Sequence, residues 1–448
     1  MIHRAILVLT HEIYFGKFYK LYQSLLKNQW RDYEFLREQQ NYALERMIKY
    51  CYEEIPYYRE LFDSLHLKPE DIKLVEDLPR LPVLTKDIIK KNWGKFYPKS
   101  IGKIRYLERS TGGTTGVPFR YRQDEYDRAL SLALRYRGWS YAGYKLGDKL
   151  VIVGGSSILP RLNSKLARIT EAYIKNAKFL SAFDMSDSNL RKYVKIINSF
   201  KPRFIYGYAS ALYFLSRWIV ENSVSIWRPR AIFTTSEKLY DYMRSSIELA
   251  FNCEVFDNYG LNDGGVSAFE CDRHEGLHVD MERSVMEIVN EEGYPIEKGE
   301  GRILATSLYN YSMPFLRYDT GDWGVVDKKM CACNRGLPLI KEIKGRTVDV
   351  FVTPEGTYVH GWYFLRLFRH IFNLYPNSLK EYQVIQKGVK EILIKVVPSF
   401  KFRSEVLNEI EKIIKAKSSE WHVEFEIVDY IERTASGKFK FIKSELKM

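Results

Sequence analysis

Lys149-Leu150-Val151-Ile152-Val153-Gly154-Gly155-Ser156 decides the architecture. Four apolar residues in a row read as a strand buried on both faces, and the glycines end it in a tight turn. The same texture recurs at Phe204-Ile205-Tyr206, Ala231-Ile232-Phe233-Thr234-Thr235 and Glu254-Val255-Phe256. Between the first two runs, Leu190, Tyr193, Val194 and Ile197 stripe one face of a helix, opened by Ser186 as a cap and closed before Pro202. Strands alternating with helices predict an α/β fold of layered sheets and helices, with at least partly parallel sheet. Sheets of this kind bind ligands at the carboxyl ends of their strands, where these glycine turns fall.

Outward from this centre the texture changes twice. In the first hundred residues Leu44, Met47, Ile48, Cys51 and Ile55 make one helical stripe, ended by Pro56, and Thr85 caps a later helix. At the other end, Glu391-Ile-Leu-Ile-Lys-Val-Val and Val423-Glu-Phe-Glu-Ile-Val read as strands. Val406, Leu407, Ile410, Ile413 and Ile414 stripe a helix between them, giving a compact β–α–β module. A chain of 448 residues exceeds what one core usually holds. The expected division is a large N-terminal α/β domain, residues 1–345, and a small C-terminal α+β domain, residues 346–448.

Composition narrows the function classes. Hydrophobic residues make up 46% of the chain and charged residues 28%, an ordinary globular balance. No apolar run approaches the roughly 18–20 residues of a bilayer span. Ala5-Ile6-Leu7-Val8-Leu9 is too short to be one, so a cytoplasmic protein without a transmembrane segment is expected. The net charge of +13 suits anionic partners: nucleotides, coenzyme A, acidic glycans, or peripheral contact with an anionic membrane surface. No helix-turn-helix, zinc-finger or RNP-type pattern directs that charge to nucleic acid. Five cysteines do not make a disulfide framework in a chain this long.

Ser110-Thr111-Gly112-Gly113-Thr114-Thr115-Gly116 consists only of Gly, Ser and Thr, and Val117-Pro118 follow. Glycines let the backbone approach a phosphate while hydroxyl and N–H groups donate to its oxygens; the competing reading is a polar hairpin turn. It is not a Walker loop, because no Gly-Lys-Ser/Thr follows, and it is expected to join two strands. Further along come Asp257-Asn-Tyr-Gly-Leu-Asn-Asp263, Arg317-Tyr-Asp-Thr-Gly-Asp322, Ile343-Lys-Gly-Arg346-Thr-Val-Asp349 and Arg433-Thr-Ala-Ser-Gly-Lys438.

In this order and spacing the motifs resemble the acyl-adenylate-forming superfamily. They are most similar to its phenylacetate–coenzyme A ligase branch, which includes CapK-type capsule proteins. Glu54-Ile-Pro-Tyr-Tyr-Arg59 and Tyr206-Gly-Tyr-Ala-Ser extend the likeness over nearly the whole chain. The resemblance implies that Ser110 to Gly116 form the phosphate loop, and that Asp257 and Tyr259 flank the adenine. It gives the ribose hydroxyls to Asp322, with Arg346 close by, and Mg²⁺ to Asp263. Lys438 would bridge the substrate carboxylate and the α-phosphate. By analogy of position the acyl pocket would take Gly154, Gly155, Ser156, Tyr206, Gly207, Tyr208 and Ala209. The small domain would be mobile, swinging at a hinge next to Arg346.

Two positions depart from the family pattern. Asp263 stands where Glu is usual, with the same charge on a side chain one methylene shorter. Val348 replaces an acidic hinge residue, so the likeness supports adenylation more fully than thioester formation. Cys331-Ala-Cys333 is similar to a Cys-Pro-Cys-Gly turn of this branch. With Cys271, His274, His278 and Cys253 it offers enough thiolate and imidazole for a structural Zn²⁺.

These readings imply an AMP-forming ligase using ATP and Mg²⁺, which activates a small carboxylic acid and passes the acyl group to coenzyme A or to an amine such as an amino sugar. Capsular or surface-polysaccharide biosynthesis would be its setting. The alternatives are a catalytically degenerate nucleotide-binding protein of the same fold and a glycan- or membrane-surface-binding protein.

Overall fold

The computed structural model describes residues 2–110, 119–160, 164–327, 329–346, 350–434 and 437–446. Helices α1 (Ile2–Phe15), α2 (Phe18–Asn28), α3 (Tyr33–Glu54), α4 (Pro56–Ser64) and α5 (Lys86–Lys91) come first. Asp32 caps α3 by accepting from the Phe35 N–H at 2.8 Å. The α3 stripe Leu44, Met47, Ile48 and Cys51 is buried against Tyr58, Phe62 and Leu78. Pro56 stops α3 and opens α4, where its missing N–H costs no helix hydrogen bond. Thr85 caps α5, accepting from Ile88 N–H at 3.3 Å.

Strands β1 (Tyr106–Ser110) and β2 (Arg120–Asp124) pair antiparallel, with Ser110 opposite Arg120. The Gly/Ser/Thr segment thus joins two strands, as expected; its residues 111–118 lie outside the described residues. β2 runs directly into α6 (Glu125–Ser140), which Asp124 caps by accepting from Asp127 N–H at 2.8 Å.

The alternating region follows as β3 (Leu150–Gly154), α7 (Lys165–Ile174), β4 (Ala177–Ser181), α8 (Asp187–Phe200), β5 (Phe204–Tyr208), α9 (Ala209–Glu221), β6 (Ala231–Thr235), α10 (Asp241–Phe251) and β7 (Glu254–Phe256). The five strands form one parallel sheet in the order β4-β3-β5-β6-β7. Alternation along the strands divides their side chains between two cores. Phe204, Tyr206 and Phe233 face the layer containing α2 and α6, whereas Ile205, Ile232 and Val255 face α8, α9 and α10. The cap at Ser186 is positional only: its hydroxyl lies 3.3 Å from Ser188 Oγ and caps no helix N–H.

Next come β8 (Asn258–Gly260), β9 (Ser267–Glu270), β10 (Leu277–Val279), β11 (Ser284–Val289), β12 (Lys298–Ser307), β13 (Tyr318–Asp327), β14 (Leu339–Ile340) and β15 (Glu342–Arg346). They make two four-stranded sheets, β14-β10-β9-β8 and β11-β12-β13-β15. The C-terminal residues contain β16 (Val350–Val352), β17 (Tyr358–His360), α11 (Trp362–Leu374), β18 (Leu379–Gln386), β19 (Glu391–Pro398), α12 (Glu405–Lys417), β20 (His422–Ile427) and β21 (Ile442–Ser444). β19 and β20 are the parallel pair around α12 that the sequence predicts. β18 and β21 complete that sheet in the order β20-β19-β18-β21. The whole is a mixed α/β fold with a layered parallel sheet. Among the described residues no helix is long and apolar enough to cross a membrane.

Two buried charge pairs lock α6 to the segment between β10 and β11. Arg283 donates twice to Asp127, at 2.8 and 2.7 Å. Arg137, wholly buried, is hydrogen-bonded to Asp280 and Glu282. Near them α6 carries Gly138, where a Cβ would come within 2.2 Å of the Phe269 ring on β9. Gly138→Ala is therefore expected to lower the unfolding free energy by about 1–3 kcal/mol through overpacking. Denaturant titration with an unchanged slope would check it; a midpoint equal to the parent's would show that Phe269 yields without cost.

Candidate active site

The carboxyl ends of β3, β5 and β6 lie side by side, and the last described turn of the chain packs onto them. Gly155 follows β3, and a Cβ at Gly437 would lie 3.1 Å from its Cα and 3.2 Å from the Phe183 ring. Gly437 has φ +81°, so only a residue without a side chain fits both the space and the conformation. Thr434 N–H donates to Lys438 O at 2.9 Å and Gly437 N–H to Thr434 O at 2.7 Å, closing the turn that carries Lys438. Lys438 N–H also donates to Thr434 Oγ1 at 3.0 Å.

Glu237, just past β6, fixes that turn. One carboxylate oxygen accepts from Phe439 N–H at 3.0 Å and the other from Ser210 N–H, in the first turn of α9, at 2.8 Å. Burial raises the carboxyl's pKa; the two N–H donors and the nearby Lys438 charge oppose the rise. Sequence reasoning missed Glu237. Its available signal was an acid directly after a buried strand, at the edge where ligands bind.

A second wall comes from β8 and β13. Tyr259 donates its phenolic proton to Asp322 at 2.9 Å. Tyr318 does the same to Asp263 at 2.7 Å. Tyr318, Thr320 and Asp322 alternate along β13, so the two carboxylates share one side of that strand. Arg346 on β15 is the register partner of Asp322, which puts its backbone across from that carboxylate. Burial holds the Tyr259 phenol well above its usual pKa, and the Asp322 charge adds to the effect.

Asp257 sits between the two walls, at the end of β7. It accepts from Thr234 Oγ1 at 2.6 Å, while its own N–H donates to Glu270 at 2.7 Å. Glu270 is in turn paired with Arg244 at 2.9 Å.

Several expected residues thus converge: Gly154, Gly155, Ser156, Gly207, Tyr208 and Ala209 at the strand ends, with Lys438 above them. Tyr208 holds its position through a hydroxyl contact with Ser157. Ser110 closes β1 beside the loop, while Thr111, Gly112, Gly113, Thr114, Thr115 and Gly116 lie outside the described residues, as does Val348.

Some of the expected residues sit in apolar cores. Tyr206 lies in the core on the α6 face, where its ring centroid is 4.8 Å from that of Trp139, whereas Tyr208 joins the core on the α9 face. Cys253 corrects an expectation: it does not join the cysteine cluster. It follows α10 and packs against the apolar core, burial pushing its thiol up to about 12. Cys271, Cys331 and Cys333 gather instead with His278, and His274 turns to Glu270 at 3.1 Å.

Comparison with known proteins follows the same lines. Residues 351–445 match the family model described as the CapK C-terminal domain. The chain is 29% identical to Protein CapK of Staphylococcus aureus over 420 residues, 92% of this chain and 90% of that one. It is 26% identical to the phenylacetate–coenzyme A ligase of Thermus thermophilus, over 71% of this chain and 72% of that protein. Among solved structures, 2-hydroxyisobutyryl-CoA ligase in its postadenylation state superposes with a TM-score of 0.68 at 18% identity, covering 90% of this chain and 88% of that one. An open conformation of that ligase gives a TM-score of 0.57 at 19% identity, covering 91% of both chains.

Burial pushes the Asp257 carboxyl up to about 6, ahead of the opposing bond from Thr234. A carboxyl whose pKa rises on folding stabilises the fold fully below its unfolded value of about 4 and loses that contribution as pH climbs through about 6. Asp257→Asn keeps the acceptor for Thr234 and removes the ionisation. Its melting temperature is expected to fall less than the parent's between pH 5 and pH 7; parallel profiles would assign the titration elsewhere.

Proposed function

We propose that this homologue of CapK and the phenylacetate–coenzyme A ligases is an AMP-forming ligase, activating a carboxylic acid with ATP as its acyl-adenylate and transferring the acyl group to an acceptor. The observation that carries this reading is the seat of Lys438: a turn anchored by Glu237 on the carboxyl edge of the parallel sheet, beside Gly155.

Adenylation brings two anions together, a carboxylate and the α-phosphate, and charge builds on the phosphoryl oxygens as they react. A cation preset at that point stabilises the transition state more than the separated reactants. Lys438 supplies such a charge, a compact ammonium on a long stem suited to sitting between two anions. Glu237 acts through the backbone of the turn, as a positioning residue. The ordered motifs support the division of labour that the family resemblance implies. The phosphates go to Ser110 and the loop that follows it, the adenine to Asp257 and Tyr259, and the ribose to Asp322 with Arg346. The acyl chain goes to the strand ends at Gly154–Ser156 and Gly207–Ala209. We place the boundary between a nucleotide- and acyl-binding part and a lysine-bearing part at residues 345 and 346.

The donors present suit a hard cation. Asp263 offers a carboxylate, one oxygen of which accepts from Tyr318, and Mg²⁺ is usually bound by one or two carboxylates together with substrate phosphates. Asp263 is the residue that would hold it, and the ion would neutralise phosphate charge. The acceptor is the thiol of coenzyme A or an amine such as that of an amino sugar. A role in surface-polysaccharide assembly follows only from the likeness to CapK.

ATP–pyrophosphate exchange across aromatic acids, amino acids and uronic acids tests the proposal. Exchange is expected with a particular acid, and Lys438→Ala should slow it roughly 10²–10³-fold, equivalent to about 3–4 kcal/mol of transition-state stabilisation. Measurable ATP binding with no exchange for any acid would replace the ligase by a degenerate nucleotide-binding protein.

A further inference from the structure

Cys271, His278, Cys331 and Cys333 play no part in the adenylation site, yet the fold draws them together from points about sixty residues apart. One ligand atom from each lies within 4.8 Å of all the others. Cys271 Sγ is 3.6 Å from Cys331 Sγ, and Cys333 Sγ is 3.2 Å from His278 Nε2. The sulfur–sulfur distance is far beyond the ~2.05 Å of a disulfide. It is close to the edge of a tetrahedron whose arms are a zinc–sulfur bond of about 2.3 Å, an edge of roughly 3.8 Å.

The imidazole is oriented for the same purpose. His278 Nδ1 lies 3.2 Å from the carbonyl oxygen of Leu337. A carbonyl only accepts, so Nδ1 carries the proton and Nε2 presents its lone pair toward the three sulfurs. Three thiolates around a divalent ion leave one net negative charge. Arg335, buried two residues past Cys333, supplies a guanidinium nearby. The four donors are soft or borderline, contain no carboxylate, and fill all four positions of a tetrahedron. That set selects zinc over magnesium, calcium or manganese, in a closed site that does no chemistry.

We propose that Cys271, His278, Cys331 and Cys333 form a structural zinc site that clamps the β9–β10 hairpin to the turn leading into β14. The site fastens the β14-β10-β9-β8 sheet at the end opposite Tyr259, and steadies the stretch from β14 to Arg346 on β15. Cys253 and His274 lie outside it.

Metal content provides the test, independent of any catalytic activity. The full chain, purified without chelator, is expected to carry one zinc per molecule by elemental analysis. Cys253→Ser should keep that zinc, and the double variant Cys331→Ser/Cys333→Ser should lose it. Should the double variant not fold, the intact chain refolded with Co²⁺ in place of zinc should show the absorption of a tetrahedral cobalt–thiolate centre, at one equivalent. Well under one equivalent of metal after refolding with excess zinc would overturn the proposal. So would full retention by the double variant, or a Cys271–Cys331 disulfide in the intact mass.

Discussion

Two guanidinium groups, Arg283 and Arg137, carry their charge into the interior, and the rest of the molecule is arranged around satisfying them. Each meets a carboxylate that is itself buried, Asp127 for the first and Asp280 for the second, and Arg137 also pairs with the half-buried Glu282. Asp127 also accepts from Gln123 on β2, and Asp280 accepts from Ser267 on β9. The network therefore joins the hairpin β1–β2, helix α6 and the antiparallel sheets into one rigid frame. Removing a single partner would strand a desolvated charge at a cost of about 3–5 kcal/mol. Because β2 runs into α6 without a linker, the frame also fixes the stems on either side of residues 111–118.

The parallel sheet performs a second task. Its strand ends bring glycine, a helix N-terminus and Glu237 to one edge. Glu237 then joins α9 to the C-terminal turn through two backbone N–H groups, Ser210 and Phe439, that are far apart in the chain. A buried carboxylate tolerates ionisation only when such donors surround it. The seat of the lysine and the charge state of the glutamate are thus one problem, solved together.

Much of this was legible in the residues. Buried parallel strands read as unbroken apolar runs, so β3, β5, β6 and β7 stood out, as did the stripes of α3, α8 and α12. The order of the motifs singled out Lys438 and Asp322 although neither is remarkable alone. What was hidden follows from geometry that spacing does not encode. Tyr206 and Tyr208 are two residues apart on one strand, yet the first packs toward α6 and the second toward α9 as the chain turns into the helix. Glu237 looks like any acid after a strand until Phe439 arrives from the far end of the sequence. Cysteine spacing does not reveal that Cys253 follows a helix facing the apolar core, while His278, on a strand between Cys271 and the later pair, completes their cluster.

The aromatic seam between α9 and the C-terminus has a meaning for how the protein is made. Phe214 on α9 packs against Phe439 and Phe441, with ring centroids 5.1 and 6.2 Å apart, and Arg433 lies over both Phe214 and Phe439. These partners are separated by about 225 residues of chain. At synthesis rates of roughly 5–20 residues per second, α9 waits on the order of 10–45 s for the side chains that cover it. Throughout that interval the nascent polypeptide displays an apolar helix face on the ribosome. The turn that carries Phe439 and Phe441 closes it, so a chain cut before that turn would have its parallel sheet built and this face of α9 uncovered.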